Sequence, residues 1–346
     1  IICGVLLLAG SGVFASVEIS GADVTRQDVA VEYIKMLQIA DLSEQSAPMS
    51  RGEAVRTIVV SLGLEEAALS LGTSGSGEEE KIAAMAHTIG ILSGTEPAEW
   101  RLGDTLTLEQ AAKMLVVALG YQVYVTQENA YPQGYLSYAA RLKLTRFIPE
   151  KTLGETLAVG EFATMLHQAL QTKLHRLTGI VQGQLHYKMS GDATLEEVYL
   201  TMKDWVKGRG VIQADRYCSI APGVKTEEDM ILINGVRCRS EEEEFHGYVG
   251  YEIDYVAAAA DADGGQGLIG IRVTENNVVL HLDADAICAY KDYKLCYETD
   301  GGAREEEIFL DEGAVFIKNN RLVTSYTDEK ALFSEGRFEL IDHDGD

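Results

Sequence analysis

Arg51 is the side chain with the most direct chemical potential in this sequence. It follows Ser50, a residue type that caps helices, and opens the run Arg51-Gly52-Glu53. A cation at the first helical position meets the positive end of the helix macrodipole, at a cost of roughly 0.3 to 1 kcal/mol. An anionic ligand resolves that mismatch, because free amides of the first turn and a planar guanidinium fork then converge on one carboxylate. The alternative is a solvated arginine compensated by Glu53 in the same turn. Trp100 stands in a loop, where its ring offers a face for stacking on a sugar. Tyr121, Tyr124, Tyr131, Tyr135 and Tyr138 have the spacing of packing residues.

Other candidate chemistry is thinner. Asp342, Asp344 and Asp346 alternate around Gly345 as the carboxylates of calcium loops do, with a solvated acidic turn as the alternative. Gly265-Gln266-Gly267-Leu268-Ile269-Gly270 matches a dinucleotide fingerprint, but the residues after it are strand-patterned, which makes it a hairpin loop. The sequence has no His-Glu-x-x-His and no Gly-x-Ser-x-Gly. Glu241 to Glu244 cannot all be desolvated, so they form a charge run in water rather than a general acid and its partner. The expectation is a noncatalytic protein without a resident cofactor. Cys218, Cys238, Cys288 and Cys296 permit two disulfides in any of three pairings, or buried free thiols.

The elements that position Arg51 recur. Ser50-Arg51-Gly52-Glu53, Thr107-Leu108-Glu109-Gln110 and Ala158-Val159-Gly160-Glu161 each lead into an apolar helical run, and the first two read as capping boxes. A helix-period stretch precedes each motif, at Val29 to Ile39, Lys81 to Leu92 and Tyr135 to Leu144. The unit is therefore helix, loop, capped helix, in three copies.

This pattern resembles the S-layer homology family, whose units end in a Thr-Arg-Ala-Glu type motif opening an Ala-rich helix. The second copy fits most closely: Ile91-Leu92-Ser93-Gly94, the loop aromatic Trp100, the cap at Thr107 and the closing Ala118-Leu119-Gly120 stand at the family's spacing. The resemblance covers repeats at about 27–71, 79–123 and 128–175, in an all-α domain over 16–176. It implies a pseudo-threefold domain that binds secondary cell-wall polysaccharide, often pyruvylated, and holds exported proteins on Gram-positive walls of clostridial type, beside other surface-layer proteins. It implies glycan contacts at Ser50, Arg51, Glu53 and Trp100. The positions equivalent to Arg51 are Leu108 and Val159, so one of three sites keeps its arginine.

Residues 1–15 read as a secretory leader: an apolar segment from Ile1 to Ala9, then Gly10 to Ala15 with the aliphatic Val13 and the small Ala15 at the minus three and minus one places before Ser16. No run is long and apolar enough to span a bilayer. Lys plus Arg number 29 against 54 Asp plus Glu, a net charge of -25 that repels nucleic acid. From residue 177 the texture turns β-rich behind one amphipathic helix, Leu195 to Val206, which Gly208 and Gly210 end. Met230 to Ile233 and Val236 to Arg239 flank Asn234-Gly235, a hairpin-turn dipeptide. The expected class is α+β: a three-repeat helical domain, then a β-rich domain over 177–346 that is truncated at its C-terminus. The expected function is docking on wall polysaccharide with a β-rich spacer or array module. The alternatives are a secreted interaction scaffold with degenerate repeats, or the N-terminal part of a larger secreted enzyme.

Overall fold

In a computed structural model the chain is described over residues 2–8, 18–20, 24–70, 77–94, 97–125, 131–181, 184–221, 223–225, 227–260, 265–299, 304–318, 321–323, 333 and 336–343. It is mixed α and β, helical early and β-rich later, and divides into two compact units. One is Thr25–Val206; the other joins Ile1–Val24 to Lys207–Asp346. Among the described residues, no helix is long and apolar enough to cross a membrane.

Strands β1 (Ile2–Leu8) and β2 (Glu18–Ser20) open the chain and belong to the second unit. The first unit holds α1 (Arg26–Met36), α2 (Arg51–Ser61), α3 (Glu65–Leu69), α4 (Glu78–Thr88), α5 (Leu108–Ala118), α6 (Gln133–Arg141) and α7 (Val159–Leu170). The hairpin of β3 (Lys173–Val181) with β4 (Gln184–Thr194), and α8 (Leu195–Lys203), follow. The helices pack cyclically: α1 lies on α7, α4 on α2, and α6 on α5. In each case the first helix of one helix-loop-helix segment covers the capped helix of another, so no segment buries its apolar face by itself.

A ring of backbone hydrogen bonds closes this arrangement. Met49, Leu106 and Leu157 immediately precede the three caps. The Met49 amide donates to Leu157 O (2.9 Å), the Leu157 amide to Leu106 O (2.8 Å) and the Leu106 amide to Met49 O (2.8 Å). All three side chains are buried. The first amide of each following helix donates in the opposite sense around the ring: Arg51 to Asp104 O (2.9 Å), Leu108 to Glu155 O (3.2 Å) and Val159 to Ala47 O (2.9 Å). These amides have no partner inside their own helix, and a neighbouring loop supplies one.

The helix starts fall at the three motifs, but each cap is only part of a capping box. Ser50 Oγ accepts from the Glu53 amide (3.1 Å), and among the described residues the Glu53 side chain makes no return bond to the Ser50 amide. At the second start Gln110 Oε1 accepts from the Thr107 amide (3.2 Å). At the third, Ala158 has no acceptor to offer, and Glu161 Oε2 reaches back to its amide (2.8 Å).

Two sequence expectations shift here. The helix expected to run to Val206 ends at Lys203, where Asp204 takes a left-handed conformation (φ 57°), and Trp205 already begins β5 (Trp205–Ala214). The boundary expected at 176/177 lies instead at 206/207, because β3, β4 and α8 cluster with the helices. Tyr199 in α8 donates to Leu37 O (3.1 Å), and Tyr33 in α1 donates to Glu196 Oε2 (2.8 Å).

The second unit contains a closed barrel and a sheet. β5, β6 (Met230–Ile233), β7 (Val236–Arg239), β9 (Gln266–Val273) and β8 (Glu252–Ala258) close the barrel in that order. The β6–β7 turn is Asn234-Gly235 with φ 45° and 82°, the positive values that dipeptide favours. The stretch from Gln266 to Gly270 lies within β9, so the glycine fingerprint opens no helix. The barrel core includes Ile212, Ile231, Ile253 and Leu268 with the free thiols of Cys218 and Cys238, whose pKa values burial raises to about 12 and about 11. The sheet contains β10 (Val278–Asp283), β11 (Ile287–Lys291), β12 (Lys294–Thr299), β13 (Arg304–Lys318), β14 (Arg321–Leu322) and β15 (Arg337–Asp342). Its order is β11-β12-β13-β1-β15-β10-β2, with β14 paired to β13. The segment read as the core of a leader is thus drawn into the sheet: β1 pairs β13 in parallel and β15 antiparallel.

Candidate functional site

Arg51 lines an open cleft of about 570 Å³ in the helical unit, together with Arg101, Asp104, Thr105, Thr107, Gln110, Gly154 and Thr156. Three separate stretches of chain meet there because of the ring just described. Ser50 bridges Thr105 and Thr107 bridges Thr156, which brings the start of α2, the loop before α5 and the loop before α7 together. Gly52 permits a close approach, since a Cβ there would stand 2.7 Å from Glu79 Oε1 and 3.2 Å from Leu102 O, the acceptor of the Gly52 amide (2.8 Å).

The Arg51 side chain is fixed by one bond: its Nε donates to Trp100 O (3.1 Å). Among the described residues, no acceptor is paired with its terminal nitrogens, so the guanidinium fork remains available. Burial lowers the Arg51 pKa, opposed by the charge of Asp104 and reinforced by that of Arg101. Lys113 is likewise lowered, by burial and then by the charge of Arg51. Arg101 is paired to Asp104, three residues on. The cleft therefore gathers Arg51 and Arg101 near Lys113, with Asp104 as the lining carboxylate, and threonine hydroxyls and Gln110 around them. Such a set can hold an anionic group by charge-assisted bonds and a polyhydroxylated body by ordinary ones.

The four residues singled out from sequence have different fates. Arg51 lines the cleft. Ser50 does not line it but sets the start of α2 through its bond to Glu53 N. Glu53 is exposed and outside the lining. Trp100 is overturned as a stacking platform: it is 6% exposed, in the turn Pro97–Trp100, with its ring 5.7 Å from that of His87. What it contributes is its backbone carbonyl. The convergence of free helix amides is overturned as well, because Arg51 N, Gly52 N and Glu53 N are all occupied within the protein. Of the calcium candidates, Asp342 is the last residue of β15, and Asp344 and Asp346 lie outside the described residues.

Sequence reasoning missed Arg101, Asp104, Thr105, Thr107, Gln110, Gly154 and Thr156 as lining residues. Tyr131, read as a packing residue, has its ring 6.5 Å from that of Tyr135 and is 50% exposed; burial and then the charge of Glu109 raise its pKa, opposed by the charge of Arg51. The one available signal was Arg101-Leu102-Gly103-Asp104-Thr105 itself, a polar, glycine-bearing loop directly ahead of a cap. No known family model and no curated protein matches this chain.

Proposed function

We propose that the helical unit is a noncatalytic glycan-docking module of a cell-surface protein, and that its ligand is an acidic wall polysaccharide whose carboxylate is taken by Arg51. The observation that carries this reading is the Arg51 fork, held by Trp100 O inside a hydroxyl-lined cleft and without a partner on its terminal nitrogens among the described residues. The cyclic packing and the ring of Met49, Leu106 and Leu157 support reading the three segments as S-layer homology repeats around a pseudo-threefold axis. A net charge of -25 opposes approach of a polyanion at long range, but screening within roughly 8 Å at physiological salt leaves the local cations to decide the contact. The β-rich unit then serves as spacer or array module.

The test is co-sedimentation of the protein with purified wall sacculi before and after mild acid removes pyruvate. Binding that falls on acid treatment and on Arg51→Ala supports the proposal. Equal sedimentation in all arms removes it and leaves the second reading, a protein-interaction scaffold, which the apolar Leu108 and Val159 at the two equivalent positions favour.

A further inference from the structure

The solvent face of the three-stranded ribbon β11-β12-β13 carries chemistry that the glycan reading does not use. Strand alternation separates two faces there. Leu295, Tyr297 and Leu310 pack into the sheet core with Ile287, Tyr290 and Ile308 beside them. The opposite face of β12 presents Lys294, Cys296 and Glu298. Their partners across β13 are Phe309, Glu307 and Glu305. On the third strand, Ile287 pairs Tyr297 and Ala289 pairs Cys296, so Cys288 is the extra residue of a bulge.

The bulge delivers the Cys288 thiol to the carboxylates. The Sγ of Cys288 and one carboxylate oxygen each from Glu298 and Glu305 lie within 4.8 Å of one another. A second sulfur is one register step away: Cys296 stands opposite Glu307, Sγ to Oε1 3.8 Å. Glu307 is neutralised by Lys294 at 2.6 Å, and Arg304 pairs with Glu306 at 3.3 Å. Glu298 and Glu305 stand directly opposite each other in the register, and among the described residues no cationic side chain is paired with either. Two like charges facing across a ladder are destabilising. A cation between them removes that repulsion, and an adjacent thiol selects which cation.

We propose that Cys288, Glu298 and Glu305 form a surface site for a divalent cation of zinc type. Calcium and magnesium are hard ions served by oxygen alone, whereas a sulfur beside two carboxylates suits the borderline ions of the late first row. On binding, the Cys288 S–H bond breaks, its proton leaves to solvent, and the sulfur lone pair forms the bond to the metal with no change of oxidation state. The site ties β11, β12 and β13 together at a sheet edge, and is independent of glycan docking.

Cobalt(II) added to the full chain under reducing conditions is the probe, because a thiolate ligand gives a charge-transfer band that oxygen ligands do not. The expected result is one such band at one equivalent. Cys288→Ser removes it, and Glu298→Gln and Glu305→Gln each weaken affinity about 10-fold or more, since loss of a direct ligand costs at least as much as loss of an outer-shell partner. Cobalt affinity should exceed magnesium affinity, and unchanged far-ultraviolet dichroism shows that the exposed substitutions leave the fold intact. No thiolate band, or a band that persists in Cys288→Ser, overturns the proposal. So does a Cys288–Cys296 disulfide in protein isolated with its thiols blocked.

Discussion

Arg51 is costly where it stands. As a cation at the first position of α2 it opposes the macrodipole by roughly 0.3 to 1 kcal/mol. The local structure limits that cost without a ligand: the first two amides of the helix donate to Asp104 O and Leu102 O, so the positive end is already partly satisfied. The guanidinium is oriented by Trp100 O, and its terminal nitrogens have no partner among the described residues. Arg51→Ala should therefore leave thermal stability nearly unchanged while lowering affinity for pyruvylated glycan by roughly 1.5 to 3 kcal/mol, the range of a hydrogen bond to a charged group. Arg51→Lys should recover only part of it, because an ammonium lacks the planar fork. Binding isotherms with solubilised wall glycan, run beside thermal melts, separate the two effects. A loss of affinity that follows the loss of stability would make Arg51 structural.

Among elements, the turn after α5 and the barrel strands carry the strongest dependence on single residues. Gly120 has φ 83°, and a Cβ there would fall 1.7 Å from His175 O, where the chain returns to pair the His175 amide with Leu119 O (2.9 Å). Gly120→Ala should cost more than the ~1–2 kcal/mol of a left-handed backbone alone, read as a lowered urea midpoint of the helical unit. In the barrel, Asp254 on β8 accepts from Arg272 Nη2 (2.7 Å) and Arg209 Nε (2.7 Å). Burial works to raise the Asp254 pKa, but the bonds and charges of the two arginines outweigh it and the net shift is downward. A depressed carboxyl pKa contributes stability that is present above the unfolded value of about 3.9 and is lost as pH falls through the folded value. Barrel stability should thus decline below about pH 4. Arg272→Leu should cost about 3–5 kcal/mol at neutral pH by leaving Asp254 buried with only its half-exposed partner. Urea melts of both proteins at pH 7 and pH 3 (about one unit below the unfolded value) check this: a mutant penalty that does not shrink in acid would count against the carboxylate as its origin. The starts of α2, α5 and α7 were legible because capping and apolar period are local signals. The end of α8 was not, since Gly208 and Gly210 read as helix stops. In the barrel, Gly208 instead gives room to the Tyr255 ring and Gly210 to Asn234. The cleft was legible only at Arg51, because its other walls come from residues about fifty and a hundred positions away, joined by backbone bonds that no local pattern announces.

At the scale of the whole molecule, the β-rich unit draws on both ends of the sequence, and this is where sequence and structure make opposite demands on one segment. Ile1 to Ala15 has the apolar core and small residues of a leader. In the structure Ile2–Leu8 is β1, with Leu6 opposite Ile317 on one side and Glu339 on the other, so it is the strand that joins β13 to β15. Pairing partners more than 300 positions apart lie outside any window of hydrophobic periodicity, and an apolar heptad serves equally as a leader core or as a strand buried in a sheet. Export of a surface protein requires the first role, and under the docking proposal the mature chain begins near Ser16. Removing β1 leaves β13 and β15 with unpaired backbone edges, which must then pair directly or open to another chain. N-terminal sequencing of protein extracted from cell walls decides between these states. A start at Ser16 predicts that amide exchange in Phe338 to Ile341 is faster in the wall-extracted protein than in the chain retaining Ile2–Leu8. Recovery of Ile1 to Ala15 on the wall-extracted protein would sink the leader, and would make β1 a permanent strand of the sheet.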